Sequence, residues 1–393
     1  MNPKIRTAVI HIGLFAITLF TTTLAGAEWY SLPVDTFWSF FVNGFAYSVP
    51  FLFILTVHEF GHYFTAMYHG VKATLPYYIP MPLPPGFFSI GTLGAVIRIK
   101  SEVQSKQQHF DIGVAGPLAG FIAALGVLIY AFTHLPPPEY IFQFHPEYKQ
   151  YGLDYAQHVY SVEYMKQSKS GVIDIMLGKN LLFSFLSDYF GDQVRVPNAH
   201  EMMHYPLLLA GYLSLVFTSL NLLPVGQLDG GHVLYGLVGY KWHKRIASVI
   251  FIIAILFTGF GFVVPGEPTD VLMWKIPVTI MVIYMALAGL KLPQRDTLMY
   301  TLVIFVFLFL AGYFFQGVTG FIGWWPFLLL VGRFVGISHP PSPIEAPLML
   351  GRKITGWLAL LIFVLCFTPN PLQIEIVEPP AVPPQEQGVT ASR

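Results

Sequence analysis

The sequence predicts an all-α polytopic membrane protein, and three observations predict it. Asp, Glu, Lys and Arg make up 11% of the chain, against about 25% in typical soluble domains. Apolar residues make up 54%. They gather in runs of about 20, the length a helix needs to cross a bilayer. A formal net charge of zero gives no reason to expect a nucleic-acid partner. The single cysteine, Cys366, excludes an intramolecular disulfide and any cysteine-based metal cluster, and reads as a small buried hydrophobe of the last span.

Read in order, the apolar runs give about nine transmembrane helices. They lie near 8–27, 41–67, 109–133, 206–223, 245–264, 275–291, 298–316, 321–337 and 354–369. The first has a second reading as a signal peptide, because Lys4 and Arg6 precede a short apolar run that ends in Ala25-Gly26-Ala27. Either reading leaves the next loop on the same side. With a cytoplasmic N-terminus, the basic residues Lys4, Arg6, Lys72, Arg98, Lys100, Lys106, Lys241, Lys244, Arg245, Lys291, Arg295, Arg352 and Lys353 fall inside. The short outside loops then carry only Lys275. Segment 134–205 falls outside, where the charge of a long loop has little influence on orientation.

The run from Thr36 to Val57 contains no charged residue, and it ends in His58-Glu59-Phe60-Gly61-His62. A helix turns about 100° per residue, so side chains four apart share one face. His58 and His62 can therefore share one zinc ion. Glu59 points about a quarter-turn away, where a carboxylate can take the proton of a water that attacks a carbonyl. Chance spacing is the poorer explanation, since an unpaired charge at membrane depth costs at least about 2.5–3.5 kcal/mol.

Two imidazoles leave a tetrahedral zinc in need of a third protein ligand, with a fourth position open. The span at 206–223 runs from outside to inside and ends in Asn221-Leu222-Leu223-Pro224-Val225-Gly226-Gln227-Leu228-Asp229-Gly230-Gly231-His232. That course brings Asp229 to the depth of His58. Pro224 must interrupt the helix, and the glycines permit irregular backbone of a kind tolerated at this depth only inside protein or beside a wet cavity. By itself Asp229 would read as a helix N-cap in a turn. At matching depth with the first motif it reads as the third ligand. His232 reads as a helix-surface or outer-sphere group. Asn221 has two readings, as a donor to an oxyanion or an unwound substrate backbone, and as a cap of the broken helix.

These two motifs together resemble the site-2 protease family of intramembrane zinc metalloproteases. The likeness implies one Zn2+ per chain held by His58, His62 and Asp229, with Glu59 as catalytic base and Asn221 as a polar residue beside it. It extends to Ala115-Gly116-Pro117-Leu118-Ala119-Gly120 of the intervening span, whose small residues let the two metal-bearing helices approach closely. Between the first two core spans, Leu75 to Lys100 carries Pro76, Pro80, Pro82, Pro84, Pro85, Gly86, Gly91 and Gly94, which exclude a membrane helix. Its apolar part, Phe87 to Lys100, is expected to form a re-entrant β-hairpin against the site, similar to the family's membrane-embedded hairpin. An exposed strand edge there would hold an unwound substrate by main-chain hydrogen bonds.

Segment 134–205 is expected to hold no PDZ domain, because it lacks a run of strand patterns. The chain is in this respect similar to the PDZ-less bacterial and plastid-type branch. Val172 to Phe190 is expected to form an amphipathic interfacial helix. The tail from Glu375, rich in Pro, Glu and Gln, is expected to be disordered. His339-Pro340-Pro341 reads as a rigid connector, and His11, His69, His109 and His200 have no assignable partner.

The expected organisation is 1–40, an N-terminal span or signal peptide and outside loop; 41–133, the first half of the core; 134–205, the insert; 206–245, the second half of the core; 246–370, C-terminal helices; and 371–393, the tail. The resemblance implies cleavage of peptide bonds in or near the transmembrane helix of a membrane-protein substrate. The setting is a lipid bilayer, the bacterial inner membrane with a plastid membrane as the alternative. Two other classes stand against this expectation. A metal-ion transporter should show polar residues in several spans, which the C-terminal ones lack. A catalytically inactive relative would have no need of Glu59.

Overall fold

The computed structural model describes residues 3–84, 89–166 and 172–377. The chain is mostly helical, with two small sheets among the described residues. The N-terminal part comprises α1 (Pro3–Tyr30), α2 (Phe37–Asn43), α3 (Phe45–Tyr68), β1 (Tyr77–Pro80), β2 (Thr92–Val96) and α4 (Lys106–Thr133). Next come two 3-10 turns, Pro138–Gln143 and Pro146–Asp154, then α5 (Ala156–Val159), α6 (Val162–Met165), β3 (Val172–Leu177) and α7 (Leu181–Phe190). The remainder is α8 (Pro206–Asn221), α9 (Asp229–Gly259), α10 (Thr269–Leu287), α11 (Gln294–Phe314), α12 (Trp325–Leu330), α13 (Leu350–Cys366) and β4 (Leu372–Val377).

Local sequence explains several boundaries. Ser105 caps α4 by accepting from the Gln108 backbone N–H while the Gln108 side chain reaches back, a capping box. Pro206 opens α8 at a position that lacks an intrahelical N–H partner anyway. Gly239, with φ +75°, breaks α9 into an inner segment that starts at Asp229 and an outer membrane-length segment.

Among the described residues, six helices are long and apolar enough to cross a membrane: Lys4–Tyr30, Phe37–Tyr68, Lys106–Thr133, Asp229–Gly259, Thr269–Leu290 and Gln294–Phe314. The expectation of about nine differs because three of the apolar runs fold as shorter helices, α8, Ile322–Val335 and α13. Packing accounts for α8. Leu208 through Val216 are all buried, with Leu209, Tyr212 and Leu215 fully so, and α8 forms the axis of the main core between α3, α4 and α13. A helix enclosed by protein on every side can end in irregular backbone at either end without exposing polar groups to lipid. A second core joins the outer half of α9 to α10, α11 and α12 around Phe251, Ile255, Ile283 and Leu287.

β1 and β2 pair antiparallel, Tyr77 with Val96 and Tyr78 with Ala95, with an irregularity before Pro80. The residues at the tip of this expected hairpin, 85–88, lie outside the described residues. Side chains of α1 and α3 hold its backbone. His11 donates to the Pro76 carbonyl at 2.9 Å, Thr21 to Gly91 and Trp29 to Ser89 at 2.7 Å each, and Tyr47 to Ile90 at 3.3 Å.

Two expectations need correction. Val172–Leu177 is a strand rather than the start of an interfacial helix, because it pairs in register with Leu372–Val377; only Leu181–Phe190 of that segment is helical. The same pairing gives structure to the first part of the tail expected to be disordered, and 378–393 lie outside the described residues. The scattered histidines also have partners. His69 and Arg352 both bind Asp111, joining α3, α4 and α13, while His200 binds Asp174 at 2.8 Å and His109 stacks on His232.

Candidate metal centre

α3 buries three polar side chains in succession: His58, Glu59 and His62 are 5%, 5% and 7% exposed. One helical turn places the two imidazoles on one face, with Nε2 atoms 3.0 Å apart. Asp229 meets them from α9, its Oδ2 3.4 Å from His58 Nε2 and 3.3 Å from His62 Nε2. Asp229 is the first residue of α9 and forms no N-cap bond, the cap position being Leu228.

The donor set fits a zinc-type cation. Ligands about 2.0–2.1 Å from a tetrahedral ion stand about 3.3–3.4 Å from one another, which the two separations to Asp229 match, while the His58–His62 edge is shorter at 3.0 Å. His62 Nδ1 lies 2.7 Å from the Ile112 carbonyl, to which it must donate, so its Nε2 lone pair faces the centre. His62 Nε2, fixed as an acceptor, thus converges with His58 Nε2 and the Asp229 carboxylate on one point, a group that can hold a cation.

The surrounding backbone is built to close contact. A β-carbon at Gly120 would stand 2.9 Å from His58 Cβ, and one at Gly61 would stand 2.7 Å from the Ala115 carbonyl oxygen. The small-residue patch of α4 therefore packs directly onto the imidazoles. The loop 222–228 turns tightly enough that a β-carbon at Gly230 would meet the Leu222 carbonyl oxygen at 1.9 Å. Gly226 holds φ +61° and donates to Ile337 at 3.0 Å, which anchors the loop to the segment after α12.

Glu59 shares the turn with both histidines, and the backbone N–H of Ile97, next after β2, lies against its carboxylate. Asn221, at the end of α8, lines a cleft with His58, Leu55, Gly120 and Thr218. Its side chain makes no cap bond among the described residues. His232 pairs with His339 at 2.8 Å and groups with His109 and His339 rather than with His58, His62 and Asp229. His339, read from sequence as part of a plain connector, is 1% exposed and stacks on Tyr235 at 4.1 Å. The Ile112 carbonyl, the Ile97 amide, His339 and Tyr78, which bonds Thr56 at 2.7 Å beside the site, escaped the sequence reading. Backbone groups carry no side-chain signature, and His339 lies 107 positions from its partner.

The model of peptidase family M50 matches residues 46–266. Among curated proteins, the chain is similar to the probable zinc metalloprotease EGY1, chloroplastic, of Oryza sativa subsp. japonica, at 32% identity over 49% of this chain and 28% of that one. EGY1 of Arabidopsis thaliana is 31% identical over 49% of this chain and 29% of its own length. The probable zinc metallopeptidase EGY3, chloroplastic, of Arabidopsis thaliana is 26% identical over 62% and 38%. The chain thus spans under a third of the length of the EGY1 relatives that it matches. No solved structure matches it. The family match covers more than half of the sequence and takes in the paired histidines, the α4 glycines and the Asp229 loop, so the chain belongs to peptidase family M50.

Proposed function

We propose that this chain is an intramembrane zinc endopeptidase that hydrolyses peptide bonds within or beside the transmembrane segment of another membrane protein. The observation that carries the reading is the convergence of His58 Nε2 and His62 Nε2, from the helix that also buries Glu59, with Asp229 Oδ2 from α9, all within 3.0–3.4 Å. Names of the EGY relatives support the metal and the chemistry.

His58, His62 and Asp229 hold the ion, and Ile112 and the α4 glycines keep the imidazoles oriented. Bound there, zinc supplies a Lewis acid for a peptide carbonyl and for water. Glu59 is the general base: its carboxylate takes the proton of the attacking water and returns it to the leaving amine. Asn221 donates from Nδ2 into the cleft beside His58, toward the oxyanion or an unwound substrate backbone.

The β1–β2 hairpin serves as a re-entrant substrate platform. Its contacts on α1 run from His11 to Trp29, about 27 Å along that helix at about 1.5 Å per residue, close to the thickness of a bilayer core. Among the described residues each strand of this two-stranded sheet has one unpaired edge, to which an extended peptide can add. The core is assigned to 41–133 and 206–245, with 134–205 inserted between. α8, Ile322–Val335 and α13 are assigned as further membrane crossings, which brings the topology to about nine. The chloroplastic designation of the relatives favours a plastid membrane over the bacterial inner membrane. Neither a transporter nor an inactive relative is favoured, given the family and the intact Glu59.

The test is Glu59→Gln in the purified chain, reconstituted with a single-pass membrane protein that the wild type cuts. The variant should keep its zinc and lose cleavage by roughly 10²–10⁴-fold. Normal turnover by Glu59→Gln would overturn the assignment.

A further inference from the structure

The insert between α4 and α8 brings a second pair of imidazoles onto a carboxylate. His145 lies between the two 3-10 turns, Glu201 precedes and His204 ends a third such turn, Met202–His204, just before α8, and their ligand atoms all lie within 4.8 Å of one another. His145 Nε2 and His204 Nε2 are 3.3 Å apart, and Glu201 Oε2 stands 3.5 Å from the first and 3.4 Å from the second. Glu201 and His204 are 3% and 4% exposed.

Hydrogen bonding around the cluster fixes where its lone pairs point. His204 Nδ1 lies 2.9 Å from the Tyr30 carbonyl oxygen, and His145 Nδ1 lies 3.2 Å from Glu147 Oε1. Both partners are acceptors, so both Nδ1 atoms donate, and in the neutral rings that bind a cation both Nε2 atoms present lone pairs inward. The Tyr160 hydroxyl donates to Glu201 Oε1 at 2.6 Å, which leaves Oε2 for the centre. Three acceptors then face one another in a buried place, a costly arrangement unless a cation joins them. Hydrogen bonds shared among them would draw closer to the usual 2.9–3.0 Å, roughly. The separations found here match instead the edge of about 3.3–3.4 Å between ligands of a tetrahedral zinc. The two imidazole–carboxylate edges also resemble those from His58 and His62 to Asp229, 3.4 and 3.3 Å.

We propose that His145, Glu201 and His204 form a second divalent-cation site, suited to zinc and independent of the protease reading. Outer partners orient both imidazoles, as they do at known zinc sites. His145, whose side chain is 30% exposed, marks the route by which an ion enters and the open fourth position. Occupancy joins the insert to the start of α8 and, through the Tyr30 carbonyl, to the end of α1. The site is a pin that sets the outer end of the helix whose inner end carries Asn221.

The experiment counts zinc by mass spectrometry in the full-length chain, purified in detergent and equilibrated with zinc alone. His145→Ala and Glu201→Gln should each bind about one ion fewer than the wild type. His158→Ala, which alters an exposed histidine of the same insert, should bind as many ions as the wild type. The double variant His58→Ala/His62→Ala should retain about one ion and lose it when His145→Ala is added. Equal zinc content in the wild type and His145→Ala would overturn the site. So would a His58→Ala/His62→Ala chain that elutes as folded protein and binds no zinc. Should Glu201→Gln aggregate, His145→Ala still decides, because that ring is partly exposed.

Discussion

Gly116 of α4 faces His62 of α3 so closely that a β-carbon at Gly116 would stand 2.2 Å from His62 Nε2. The absence of a side chain at one position thus shapes the candidate metal centre as directly as His58, His62 and Asp229 do. Gly120 repeats the arrangement one turn later over His58.

Gly116→Ala should therefore displace the His62 ring, lower bound zinc and reduce cleavage by at least about 100-fold, with a stability cost of about 1–3 kcal/mol for overpacking. Gly126→Ala on the same helix meets nothing within 4 Å and should leave both zinc and activity unchanged. Zinc content and cleavage by the two purified variants make the comparison.

Asp229→Asn keeps the shape of the third ligand and removes its charge. Zinc affinity should fall by at least about 10-fold and activity at limiting zinc should fall with it, since carboxylate oxygen is the donor zinc prefers over a neutral amide. Titration against a buffered zinc series measures the shift. An unchanged affinity would remove Asp229 from the ligand set.

How much of this was legible in sequence depends on the span of the interaction. His58 and His62 were legible because four positions on a helix make one face, and Asp229 because a charge at membrane depth demands a reason. The role of Gly116 was legible only as small-residue packing, since which helix face it covers is a matter of tertiary structure. The strand at Val172–Leu177 was hidden because its partner lies about 200 residues later and its apolar run suits helix or strand. His145 and His204, 59 positions apart, share no periodicity. Sequence reports the apolarity of α8 and not the protein that encloses it, so the shortness of that helix, 16 residues, stayed hidden.

The loop before Asp229 depends on one backbone conformation. Gly226 holds φ +61°, and a β-carbon there would lie 1.8 Å from the Gly336 carbonyl oxygen. Gly226→Ala should destabilise the chain by at least about 2 kcal/mol, through left-handed strain and the clash together. Gly239 also has positive φ but open space around it, so Gly239→Ala should carry backbone strain without the clash and cost less than Gly226→Ala. Thermal unfolding in detergent ranks the two.

The hairpin assignment predicts a contact. Leu93 on β2 is 64% exposed, and the native Cys366 is fully buried. Leu93→Cys should form a disulfide with a cysteine placed near the scissile bond of a bound substrate, whereas Phe307→Cys on α11, also exposed, should not. Equal yields at both positions would contradict strand addition at β2.

The central claim is that Glu59 carries proteolysis inside the membrane, and its most direct test is a mass-spectrometric comparison of membrane-protein fragments in cells that carry the wild-type chain or Glu59→Gln. The account predicts precursors or transmembrane stubs that accumulate only in the variant. Identical fragment profiles, in cells where a wild-type substrate is present, would contradict it.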